Sequence, residues 1–237
     1  MRWLRPVFVH VAVSPERVRQ SLPPGVMLDL RDGAAYVSLV ALGVEGPLPD
    51  ALLRMAPRRW ARYLQVNLRT YGRVGDARGI VLLGTRVDRA LPAAAARVLG
   101  MPYRVDRSLA LAGSPDRPVL AGDGLRLAGH ARGPGAAAPA PGSLGEFLLD
   151  RAWVFGRAPG GLSYGVRVEH APWRVRPVHL ARSPEVAGWD EFRVAALAQE
   201  AEDLEVELVE VTRLDSLARA RGFPEAAGRR SRPQPAG

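Results

Sequence analysis

The chain is 237 residues long and 47% hydrophobic, enough for one large domain or two small ones around a buried core, and its formal net charge is +9. It contains no cysteine and no lysine, so its 33 basic residues are all arginine. These absences exclude disulfides, thiolate nucleophiles, cysteine-held metals, Schiff bases on a lysine side chain, lysine-attached pyridoxal phosphate and a P-loop.

The four histidines, at 10, 130, 170 and 179, have no metal-ligand spacing, and no GxGxxG stands between a strand and a helix. No metal and no cofactor is therefore expected. The net charge invites a nucleic-acid reading, but much of it sits in the tail, where Arg219, Arg221, Arg229, Arg230 and Arg232 face only Glu225. Residues 219–237, rich in Pro, Gly and charge, read as a disordered end, which argues against nucleic acid as a partner.

The opening MRWLRPVFVHVAV has too short an apolar run for a signal sequence, contains His10 and lacks a small-residue cleavage site, so it reads as a buried strand. No run approaches the length of a membrane span, and a soluble cytoplasmic protein is expected. Ser14, Pro15 and Glu16 start a short helix through Leu22, ended by LPPG. VMLDL and AAYVSLVAL flank RDG as a hairpin, and a Pro-rich connection follows from Gly46 to Pro57. YLQVNLRTYGRV and GIVLLGTRV form a second hairpin across GDAR, and LPAAAARVLG is a helix with a terminal Gly as its cap.

MPYRVDRSLALAG and VLAGDGLRLAGHA read as further strands, and residues 133–142, GPGAAAPAPG, as a low-complexity loop. SLGEFLLDR is a helix with Ser143 as cap and Glu146 in the capping-box position. WVFGR and LSYGVRVEHAPW resume the strands, SPEVAGWDEFRVAALAQEAE reads as a helix begun by Ser183 and Pro184, and DLEVELVEV is the final strand. Residues 1–218 thus read as one domain carrying an inserted loop.

Asn67 in QVNLRTY is the only asparagine of the chain. In a strand, Gln65, Asn67, Arg69, Tyr71 and Arg73 point one way and Val66, Leu68 and Thr70 the other. That polar face is either the solvent side of an antiparallel strand or, in a closed sheet, the wall of a cavity. In a cavity, an amide, a guanidinium and a phenol would orient a small anionic or carbonyl ligand. Tyr103 is a core or cavity-wall aromatic, and Pro172 fixes a turn carrying His170 and Trp173. His170 is the candidate for acid/base work, its reference pKa lying near 6.5. Asp106 is expected to pair with Arg104 or Arg107, and Ser108 and Ser163 lack a nucleophile elbow.

LPPGVMLDLRDGAAYVSLV, QVNLRTY, GIVLLGTRVD, GMPYRVDRSL, EFLLDRAWVF and EHAPW, in that order, resemble the YqjF-like family, domain of unknown function 2071, over roughly residues 3–180. The resemblance implies an acetoacetate decarboxylase-like fold: α+β, a largely antiparallel closed β-barrel with a few helices outside and a ligand cavity within. It also places Asn67 and Arg69 at that cavity. Acetoacetate decarboxylase works through a Schiff-base lysine, which this chain lacks. The family strand usually begins with Glu where this chain has Gln65, so an acid/base step resting on that carboxylate is lost or moved.

The expected function is binding of a small oxo acid, carboxylate or carbonyl compound by Gln65, Asn67, Arg69, Tyr71, Tyr103 and Trp173. Any catalysis would be lyase or isomerase chemistry with His170 moving protons. A nucleic-acid-associated basic protein and a non-catalytic structural or interaction protein are the alternatives. Homo-oligomerisation is left open.

Overall fold

The computed structural model describes residues 1–46, 62–112, 119–131, 135–194 and 197–220. Strand β1 (Arg2–Val13) alternates Val7, Val9, Val11 and Val13 with Phe8 and His10, and all of these are buried. Arg5 takes a positive φ of 45° at a bulge between Leu4 and Val7. The bulge divides one edge of β1 between two different neighbours, described below.

Helix α1 (Pro15–Arg19) is shorter than expected; Pro15 opens it, but Ser14 makes no side-chain capping bond. Strand β2 (Met27–Leu28) precedes β3 (Ala35–Glu45). The RDG turn forms, with Asp32 and Gly33 at φ 52° and 77° as a tight two-residue turn requires, closing an Arg31–Ala34 bridge. The expected hairpin does not continue from it. Instead β2 pairs with β4 (Arg62–Val74), leaving β3 free to pair with β1 and β4 along its length. The Pro-rich connection lies almost wholly outside the described residues.

Strand β4 and β5 (Ala77–Val87) form the predicted second hairpin, turning at Gly75 and Asp76. Helix α2 (Ala90–Val98) ends before Gly100, whose φ of 73° suits the residue after a helix C-cap. The expected strands follow as β6 (Tyr103–Val105), β7 (Ala110–Ala112), β8 (Val119–Gly122) and β9 (Leu125–Ala131). Of the expected loop, residues 133–134 lie outside the described ones, and Ala137 bridges to Val175. Helix α3 (Leu144–Leu149) carries the predicted cap, Ser143 Oγ accepting the Glu146 N–H at 3.2 Å. Then come β10 (Trp153–Arg157), β11 (Ser163–His170) and β12 (Val175–Leu180).

The helix expected over SPEVAGWDEFRVAALAQEAE is not formed. That stretch holds β13 (Glu185–Val186), a 3-10 turn (Asp190–Val194) and β14 (Leu197–Ala201), with Gly188 at φ 78°. Strand β14 lies between β1 and β12, and satisfying both edges outweighs the helix propensity of Ala, Gln and Glu. Strand β15 (Leu204–Arg213) is the final strand as expected, followed by helix α4 (Leu214–Ala220). The remaining tail, 221–237, is outside the described residues.

The molecule is mostly sheet with few helices. Hydrogen-bonded neighbours run β15–β11–β10–β5–β4–β3–β1, and β15 pairs back to β1 through Arg2–Glu205 and Trp3–Leu204. From the other half of the same β1 edge, β14 leads to β12, β9, β8 and β7. The sheet is mixed, because β5 runs parallel to both β6 and β10.

One face of β1, β3 and β4 packs Val7, Val9, Val37, Leu39 and Val66 against Leu120, Leu127 and Phe192 from the outer strands and the 3-10 turn. The opposite face gathers Phe8, Val40, Leu42 and Val44 with Leu149, Val168 and Trp173. Both faces are therefore buried, which makes any polar side chain on these strands costly unless it is used. Among the described residues, no helix is long and apolar enough to cross a membrane.

Candidate functional site

The face of β4 singled out in the sequence is buried. Exposure is 8% at Gln65, 6% at Asn67, 5% at Arg69 and 0% at Tyr71, while Arg73, beyond them, is exposed. Strand register extends this polarity sideways. His10 pairs with Ser38, and Ser38 with Arg69, so the three form one rung across β1, β3 and β4, with Leu82 of β5 next to Arg69. The adjacent rung runs Gln199, Phe8, Val40, Asn67 and Thr85. His10, Ser38, Thr85 and Gln199 are all buried.

His10 Nδ1 is hydrogen-bonded to Ser38 Oγ at 2.6 Å, Ser38 Oγ is in turn hydrogen-bonded to Tyr71 Oη, and Tyr71 Oη is 3.5 Å from His10 Nδ1. Burial, and after it the Arg69 charge, pull the His10 pKa down to about 3, against a smaller opposing effect of the Gln199 side chain, which comes close to the ring without satisfying Nε2. His10 is therefore a neutral imidazole at neutral pH.

Arg69 is the unusual member. Its guanidinium carbon lies 5.4 Å from the Phe8 ring centre and 5.8 Å from that of Tyr71. Neither a hydrogen bond nor an ion pair to it occurs among the described residues. Its Nε is buried without a partner, as are His10 Nε2, Asn67 Oδ1, Thr85 Oγ1, Gln199 Oε1 and Trp173 Nε1. Contacts with two aromatic faces offset part of the cost of burying the charge, but they do not replace hydrogen bonds.

A second buried cation beside Tyr71 is held by a carboxylate. Asp29 Oδ2 accepts from Arg78 Nε at 3.0 Å and from Arg151 Nη1, while Arg151 Nη2 donates to the Phe147 carbonyl. The Arg151 guanidinium lies 4.9 Å from the Tyr71 ring centre and 4.4 Å from that of Phe147. Arg151 thus contrasts with Arg69: both are buried cations beside the same phenol, and only one has a carboxylate.

The other candidates are dispersed. Tyr103 donates to Gln65 Oε1 at 3.4 Å, and burial, chiefly, raises its pKa above the usual phenol value. Trp173 packs edge-on to Phe8 at 5.2 Å and 4.9 Å from the His170 ring. His170 itself lies at the end of β11 beside an open groove with Glu169, Glu205 and Glu207, its Nδ1 2.7 Å from the Ala171 carbonyl. Phe8 and Trp173 stand between it and Arg69, so the structure does not bring His170 together with the polar face of β4. Asp106 pairs with Arg86 at 3.3 Å and accepts from Ser108, not from Arg104 or Arg107.

A cavity of about 270 Å³ opens where β5 leaves β10 and takes up β6, lined by Leu22, Leu82, Met101, Pro102, Val154 and Tyr164. Asn67 and Arg69 do not line it, but Leu82 is the direct strand partner of Arg69. The sequence reading missed His10, Ser38, Thr85 and Gln199. The one available signal was His10, a lone imidazole inside VFVHVAV. No group of three or more His, Asp or Glu residues suited to a metal occurs among the described residues.

No curated protein is detectably similar in sequence. Among solved structures, the enduracididine biosynthesis enzyme MppR with HEPES bound superposes with a TM-score of 0.65 at 15% identity, covering 90% of this chain and 86% of that one. Its pyruvate complex gives 0.63 at 16% identity, covering 90% and 89%. An acetoacetate decarboxylase-like enzyme from Sphingomonas wittichii RW1 gives 0.61 at 15% identity, covering 90% and 91%. At these identities the likeness establishes the fold, which is acetoacetate decarboxylase-like. The profile of DUF2071, described as an uncharacterized conserved protein, matches residues 1–205, and the chain belongs to that family.

Proposed function

We propose that this protein binds a small organic anion, an oxo acid or related carboxylate, inside the sheet. Arg69 is the counter-charge, and Asn67, Thr85 and His10 are the orienting groups. The observation that carries this reading is the buried guanidinium of Arg69, without an acidic partner among the described residues. A bound carboxylate would supply the paired acceptors that fit a guanidinium fork. The return of the pairing path from β15 to β1 supports reading the sheet as a closed barrel whose inside is the polar face of β4. The MppR complex with pyruvate indicates a ligand class of suitable size and charge.

Gln65, Tyr71 and Tyr103 extend the wall, while Trp173 and His170 stand behind Phe8. Without lysine, chemistry on the ligand would not proceed through a side-chain Schiff base. The cavity beside Leu82, the strand partner of Arg69, is an approach from solvent.

Thermal unfolding with a panel of 2-oxo acids, hydroxy acids and simple anions tests the proposal. A ligand at a hundredfold excess over Kd stabilises the native state by about 2.7 kcal/mol. For a chain of this size that is a rise of roughly 5–11 °C in Tm. Arg69→Met and Asn67→Ala are expected to abolish the shift. Arg69→Met is also expected to unfold at a higher temperature than the wild type without ligand, since it removes an uncompensated buried charge. A ligand shift that survives Arg69→Met would refute the assignment.

A further inference from the structure

We propose that His10, Ser38 and Tyr71 form a proton relay that interconverts the keto and enol forms of a 2-oxo acid held on Arg69. This rests on the anion site proposed above and assigns it a reaction.

The three side chains come from three strands, β1, β3 and β4, and are linked end to end through Ser38 Oγ. Serine and tyrosine hydroxyls each donate and accept, and a neutral imidazole carries one donor and one acceptor nitrogen, so the chain can pass a proton in either direction. Ser38 is the direct strand partner of both His10 and Arg69, and its small side chain lies between the two larger ones. A ligand whose carboxylate rests on Arg69 would lie beside Ser38, within reach of the unpartnered Nε2 of His10.

The atoms balance without a cofactor. His10 Nε2 takes a proton from the carbon adjoining the carbonyl, and the electrons of that C–H bond become the C=C bond of the enol. Concurrently the carbonyl oxygen takes a proton from Tyr71 Oη, which receives one from Ser38, which receives the Nδ1 proton of His10. The imidazole ends as its other tautomer, and every group is neutral before and after. That property fits the place: burial beside Arg69 disfavours an imidazolium, and transfer through both ring nitrogens never forms one. Reversal returns a proton to carbon, so solvent protons that enter the relay exchange into the substrate.

The test is proton NMR of pyruvate and 2-oxobutyrate in deuterium oxide with the full chain, alongside their effect on Tm. The wild type is expected to exchange the protons next to the carbonyl about 10²-fold or more above the protein-free rate. Tyr71→Phe, which removes one hydroxyl, and Ser38→Ala, which cuts the relay at its centre, are each expected to return exchange to background while the oxo acid still raises Tm. His10→Gln, which removes the base, is likewise expected to return exchange to background. A raised Tm with exchange at the protein-free rate overturns the relay and leaves the anion site standing. Exchange undiminished in folded Tyr71→Phe and Ser38→Ala also overturns it. Stabilisation by simple carboxylates but by neither oxo acid overturns the substrate class and the relay together, and no stabilisation by any anion overturns the site itself.

Discussion

His10 makes stability depend on pH in a way that can be isolated by one substitution. Its folded-state pKa is about 3, whereas an unfolded histidine titrates near 6.5. Above pH 6.5 neither state is protonated there, and His10 contributes no pH dependence. As pH falls below 6.5 the unfolded chain gains a proton that the folded chain refuses, so stability is lost, at about 1.4 kcal/mol per unit once the unfolded imidazole is fully charged. At pH 5.0, some 1.5 units below the unfolded pKa, the loss is about 2 kcal/mol, and it stops growing near pH 3. The charged and titratable groups beside His10 are Arg69 and Tyr71 of β4. Carboxylates elsewhere also titrate in acid, so the quantity to measure is a difference. Urea unfolding of the wild type and His10→Gln at pH 7.5 and 5.0 is expected to show the wild type losing about 2 kcal/mol more than the variant. Equal losses in the two proteins would mean that His10 is protonated in the folded state, and the neutral-imidazole argument would fall with it.

Asp29→Asn leaves the guanidinium of Arg151, whose side chain is only 2% exposed, without its carboxylate. Removing one partner of a buried pair costs about 3–5 kcal/mol, so denaturant unfolding is expected to show a loss of that order, and a change under about 1 kcal/mol would mean that the pair is not isolated from water. Gly79→Ala would place a methyl 2.5 Å from the Trp153 carbonyl oxygen and 2.7 Å from the Phe155 ring, where β5 and β10 run parallel. Overpacking of this kind costs about 1–3 kcal/mol, and an unchanged unfolding midpoint would show that β10 can move away freely.

Several local signals in the sequence were sufficient by themselves. The alternation of QVNLRTY sets apart Gln65, Asn67, Arg69 and Tyr71, Ser143 caps α3, and Gly100 follows α2. Beyond the β4–β5 hairpin, what pairs with what was not legible. LAQEA has helix-forming residues and becomes a strand because β1 and β12 leave it a two-sided slot. VMLDL stands beside its turn in sequence but pairs with β4. The same limit applied to the site. Asp29 and Arg151 are 122 residues apart and Tyr71 and His10 are 61 apart, so only the tertiary fold brings them together. His170 drew notice because of its motif, whereas His10 was hidden in an apolar run.

The departure at Gln65 can now be weighed against Arg69. A glutamate there would lie on the same face of β4 but four residues away, about 13 Å along the strand, too far to neutralise the guanidinium directly. The Gln65 side chain instead meets the half-buried Tyr103 phenol. A carboxylate at that position would accept from the same phenol, and its own burial would raise its pKa. So the Glu-to-Gln difference does not account for the unpaired Arg69; it removes a second titratable group from a different part of the same wall. On the proposed reading, the positive end of the site is intact and its acidic end is absent. That asymmetry favours capture of an anion, and it leaves proton transfer to neutral groups, of which the His10, Ser38 and Tyr71 chain is the continuous example beside Arg69.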